Sequence, residues 1–75
     1  MERYLNLGGD SGVRLYASGD DSITVQFSDG SVYLYNYQRP GQAAVEKMKE
    51  LAQAGRGLNS YINRFVGKRY AAKLR

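Results

Sequence analysis

The 75 residues include no cysteine, no histidine and only one proline. Without cysteine there can be no disulfide, no thiolate metal site and no cysteine nucleophile. Without histidine, Ser-His dyads and His-ligated zinc are also excluded, because no side chain has an unperturbed pKa near neutrality. No apolar run approaches the ~20 residues that would span a bilayer. The opening Met1-Glu2-Arg3-Tyr4-Leu5-Asn6 lacks the apolar stretch of a signal peptide. These absences predict a cytoplasmic domain with no cofactor, no metal and no membrane association; we further expect it to be noncatalytic, with no small-molecule substrate.

Acid is missing from one part of the chain only. Residues 1–50 hold five basic and seven acidic side chains, a sum of −2. Residues 51–75 hold Arg56, Arg64, Lys68, Arg69, Lys73 and Arg75 with no acid, a sum of +6. A basic C-terminal third beside a mildly acidic body fits a surface that meets an anionic partner such as nucleic acid. Charge alone fits better a solvated helix face that keeps the protein dispersed. At 43% hydrophobic and 24% charged, the composition is that of a folded chain, and its length allows one small core. We therefore expect a single domain over residues 1–75.

Hydropathy alternates with period two over residues 13–17, 23–27 and 32–37, which predicts three strands. Residues 3–7 offer a fourth, at the edge, before the Gly-rich stretch Gly8-Gly9-Asp10-Ser11-Gly12. That stretch lacks the Gly-Lys-Ser/Thr ending of a phosphate-binding loop and leads into a strand, so it reads as a linker. Asp20-Asp21 reads as a solvated turn, since calcium needs six or more oxygens at another spacing. Pro40-Gly41 ends the strand pattern. Ala44, Val45, Met48, Leu51 and Ala52 then recur at helical spacing, with Gly55 placed as a left-handed cap. Gly55-Arg56-Gly57 is an interhelical turn or a phosphate-binding nest. Asn59-Ser60 is positioned to cap a second helix, whose stripe Leu58, Tyr61, Ile62, Phe65 and Val66 predicts core packing, with a partner groove as the alternative. On the core reading, Phe65→Ala would cost about 3–5 kcal/mol. Residues 72–75 form a basic tail. Strands first and helices after them predict an α+β fold, a three- to four-stranded antiparallel sheet followed by two helices packed on one face.

The Asp29-Gly30 pair reads as a two-residue hairpin loop. That register pairs Val25 with Leu34 and Gln26 with Tyr33, so Ile23, Val25, Phe27, Val32 and Leu34 share one face. A three-residue loop Gly19-Asp20-Asp21 would pair Leu15 with Val25 and put Arg14 and Tyr16 opposite. With the aliphatic face under the helices, the other face displays Arg14, Tyr16, Tyr33, Tyr35 and Tyr37. Tyrosines beside an arginine on a sheet surface form a stacking platform for unpaired bases. Cross-strand tyrosines also simply stabilise sheets. On the platform reading, Arg56, Arg64, Lys68, Arg69 and Lys73 join Arg14 in meeting phosphates. Tyr and Arg suit protein interfaces for the same reasons, so a protein partner or a second copy of the chain on the tyrosine face is the alternative.

The ordered series Asp21-Ser22-Ile23-Thr24-Val25-Gln26-Phe27, Asp29-Gly30, Tyr33-Leu34-Tyr35, Leu51-Ala52-Gln53-Ala54-Gly55 and Gly57-Leu58-Asn59-Ser60-Tyr61-Ile62 resembles the KTSC domain. That family occurs at the C terminus of some lysyl-tRNA synthetases and as small stand-alone bacterial proteins. The likeness covers roughly residues 11–71. Where synthetase-associated members often have Val-Pro after the tyrosine strand, this chain has Arg39-Pro40-Gly41. The resemblance implies no enzymatic activity and a role in RNA binding.

Overall fold

A computed structural model describes residues 1–9 and 12–75. Four strands come first: β1 (Glu2–Arg3), β2 (Val13–Ser18), β3 (Ser22–Phe27) and β4 (Val32–Asn36). Helix α1 (Gln42–Ala54) and a short α2 (Leu58–Tyr61) follow, and α2 runs directly into a π-helical turn, Ile62–Val66. The chain ends with β5 (Ala72–Lys73), which returns to the sheet. The strands lie in chain order, and every neighbouring pair is antiparallel. The fold is α+β as expected, with five strands instead of three or four. No helix among the described residues is long and apolar enough to cross a membrane. Asp10 and Ser11, in the middle of the expected linker, lie outside the described residues.

The second hairpin overturns the expected register. Phe27 N–H donates to the Ser31 carbonyl (2.9 Å) and Gly30 N–H to the Phe27 carbonyl (2.9 Å), so the loop has three residues, Ser28-Asp29-Gly30. Gly30 sits at φ 91°, and the Asp29 carboxylate accepts from the Ser31 N–H (3.0 Å) and hydroxyl (2.6 Å). A two-residue loop would need positive φ at Asp29 as well, costing roughly 1–2 kcal/mol for a residue with a Cβ. The longer loop asks it only of glycine. One extra loop residue moves the pairing by one and exchanges the faces of β4. Ile23 now pairs with Tyr35 and Val25 with Tyr33, while Leu34 faces Thr24 and Val32 faces Gln26.

The first hairpin differs too. Gly19 N–H donates to the Ser22 carbonyl (2.8 Å), closing a two-residue loop at Asp20-Asp21 where three residues were expected. Tyr16 therefore pairs with Val25, Leu15 with Gln26 and Ala17 with Thr24. A register shift between Val13 and Leu15 makes Arg14 the residue of a β-bulge. Tyr16, Ile23, Val25, Tyr33 and Tyr35 consequently share one face.

The helices cover that face. Val45, Met48 and Ala52 of α1 pack with Leu58, Ile62 and Val66 onto Tyr4, Val13, Tyr16, Ile23, Val25 and Tyr35. Tyr16 and Tyr35 are 6% and 2% exposed, so neither belongs to an open platform. The opposite face carries half-buried Leu15, Ala17, Thr24, Gln26, Val32 and Leu34. Aromatic rings bury more surface than the aliphatic set and keep a polar tip for the rim, which favours them under the helices.

Gly55 ends α1 at φ 77°, as expected, with its N–H bonded to the Leu51 and Ala52 carbonyls. The Leu5 side chain lies 2.7 Å from where a Cβ on Gly55 would stand, so the close approach also demands glycine. Gly57 precedes α2 at its N-cap position, and no side chain caps the helix, so Asn59 and Ser60 are not the cap. The N–H of Leu58 is met instead by the Tyr4 hydroxyl.

The π-turn corrects the core reading of Phe65. Gly67 N–H reaches back to the Ile62 carbonyl (2.6 Å), five residues away, and this wider turn advances each residue through a smaller angle. Ile62 and Val66 stay in the core, whereas Phe65 rotates outward and is 55% exposed.

Candidate nucleic-acid interface

The register that buries Tyr35 leaves Tyr33 at the margin of the helix-covered face. A groove of about 400 Å³ opens there between the β3–β4 hairpin and the π-turn. Phe27 and Tyr33 come from the hairpin, Asn63 from the π-turn, and Lys68 and Tyr70 from the segment entering β5, with Tyr35 at the floor. β5 positions that segment, pairing Lys73 with Tyr33 and Ala72 with Leu34. A strand of two residues carries no pattern of its own. It forms because the outer edge of β4 presents unpaired backbone groups.

Tyr33 is the centre of the aromatic cluster. Its ring centroid lies 4.7 Å from that of Tyr70 and 5.7 Å from that of Phe27, the latter edge-to-face at 76°. The Lys73 ammonium stands 5.8 Å from the Tyr33 centroid, within cation–π range. Among the described residues, Asp29 is the one acid on the groove. Its carboxyl is held below the usual carboxylate range, first by the Ser31 hydroxyl, then by the Ser31 amide, with the Lys73 charge adding to both. Burial pushes the Tyr35 hydroxyl up to about 12, with Tyr33 and Tyr70 adding to it, so it stays neutral at physiological pH. The groove therefore offers ring surface, two ammonium groups and a fully ionised Asp29 already engaged by Ser31. Among the described residues, no group of three or more His, Cys, Asp or Glu side chains is placed to hold a metal ion.

The expected site residues separate into groups. Tyr33, Lys68 and Lys73 come together at the groove, and Tyr35 lies beneath them. Tyr16 is in the core. Tyr37 is at the far end of the sheet, its hydroxyl donating to Glu46 (2.6 Å), which Lys49 also meets (2.9 Å). Arg14 lines a separate depression beside Arg3, and Arg56 another beside Tyr4 and Asn59. Arg64 and Arg69 gather around Phe65. Sequence reasoning missed Tyr70 and Phe27 as groove residues, Phe27 because it shared the expected aliphatic face with Ile23 and Val25, and Tyr70 because it lies four residues past Val66, in step with the helical stripe. Of the tyrosines expected on an open face, Tyr35 lies beneath the helices, while Tyr33 and Tyr37 are half-buried.

Among known proteins, the chain matches no family model, no curated protein and no solved structure.

Proposed function

We propose that the chain is a noncatalytic module that binds single-stranded nucleic acid, RNA foremost, in the Phe27–Tyr33–Tyr70 groove. The observation that carries this reading is Tyr33 itself, an aromatic ring at an open groove with an ammonium over it and Lys68 lining the same groove. Unpaired bases stack on such rings whatever their sequence, and lysines beside them meet the flanking phosphates. The corrected register supports the reading in a way the expected one did not, because the tyrosine and the basic segment now lie on the same side of the sheet. The KTSC resemblance supports the same role.

The test is a titration with labelled oligouridylate at low salt. Salt-dependent binding that Tyr33→Ala weakens by about 1–3 kcal/mol is the expected result. Negligible binding of any oligonucleotide at low salt would overturn the reading.

A further inference from the structure

Phe65 is the only aromatic residue among the exposed large apolar side chains of the described chain. A lone exposed ring needs no explanation, but this one is not alone. The Tyr61 ring lies 5.1 Å from it, tilted by 39°. The Arg64 guanidinium lies 5.6 Å from its centroid. Arg69 donates to the Phe65 carbonyl and, through Nε, to the Val66 carbonyl (3.4 Å), which ties it to the end of the π-turn. Neither arginine is paired with a carboxylate among the described residues, where the ion pairs are Lys47–Glu50 and Lys49–Glu46. An exposed aromatic ring with one guanidinium beside it and a second on the backbone of the same turn, in a segment without acid, is complementary to a ligand that is both planar and anionic.

The π-turn joins this cluster to the groove. Asn63 lines the groove from one side of the turn, while Phe65 stands on its exposed side. Phe65 and Tyr70 are five residues apart, with Lys68 and Arg69 between them, so their backbones lie within roughly 18 Å even if the segment were fully extended. We infer that Phe65 is a second stacking station for the strand held in the groove. A base beyond the one at Tyr33 would lie on Phe65, and the intervening phosphates would meet Lys68, Arg64 and Arg69. This inference rests on the nucleic-acid reading of the groove.

The two can be tested together and fail separately. Labelled oligouridylates of increasing length, from a dinucleotide upward, are titrated against wild type, Tyr33→Ala, Phe65→Ala and Phe65→Tyr. Circular dichroism confirms that each variant is folded. Wild-type affinity should rise with length. Phe65→Ala should remove about fivefold to a hundredfold of affinity for the longest oligomer and leave the dinucleotide unaffected, and Phe65→Tyr should restore it. Binding that Tyr33→Ala weakens and Phe65→Ala does not would overturn the second station and leave the groove standing. Equal loss in Phe65→Ala at every length would also overturn it. Loss of self-association in sedimentation, with RNA affinity unchanged, would assign the ring to protein contact. No binding of any length by wild type would overturn both.

Discussion

The hydroxyl of Tyr4 accepts a hydrogen bond from the backbone N–H of Leu58, 3.2 Å away and 54 residues later in the chain. It takes the place of a helix cap, since nothing else caps α2, and Tyr4 is only 4% exposed. Tyr4→Phe keeps the ring and strands a buried donor, a loss of about 1–3 kcal/mol. Urea denaturation should show a lowered midpoint with an unchanged slope. A midpoint equal to wild type would mean that water replaces the hydroxyl.

Lys68 and Arg14 were both expected to meet phosphates, and the fold separates them. Only Lys68 lines the groove. Lys68→Ala should lower the slope of log affinity against log salt by about 0.7, the share of one phosphate contact on a single strand. Arg14→Ala should leave that slope as in wild type. Titrations at three or more salt concentrations decide it, and equal slopes for both variants would remove Lys68 from the interface.

The π-turn makes a prediction opposite to the stripe's. Phe65→Ala should change stability by no more than about 0.5 kcal/mol, as for a surface substitution. Ile62→Ala, from a core position three residues earlier, should cost about 2–5 kcal/mol. Thermal melts of the two variants, side by side, report which residue faces the sheet.

Tyr35 gives the fold an alkaline limit. Its hydroxyl titrates near 12 in the folded chain, against an ordinary value of 10.0, because burial penalises the charged form. A group whose native pKa is raised contributes fully below its unfolded pKa and loses that contribution as pH climbs through the native one. Stability should therefore fall between about pH 10 and 12. Tyr35→Phe should flatten that part of the decline, seen as a smaller drop in Tm across the interval.

The local chemistry of the chain determined the order of its elements, the breaks between them and the α+β class. Period-two runs, Asp-Gly and Pro-Gly punctuation, an amphipathic stripe and Gly55 as a left-handed cap all act over a few residues, so they can be read in order. The acid-free C-terminal third was equally plain. The choice of sheet face was left to the tertiary structure. Along Val32-Tyr33-Leu34-Tyr35 both alternating sets are able to be buried, so periodicity cannot choose between them. One loop residue, admitted by Gly30 and held by the Asp29–Ser31 hydrogen bonds, turns one set inward. Phe65 likewise carried a helical stripe that only the π-turn interrupts, and β5 exists because the edge of β4 was open to it. The groove forms where these three outcomes meet. Tyr33 and Lys68 were legible as chemistry, but their meeting with Tyr70 depends on long-range pairing that no local pattern encodes.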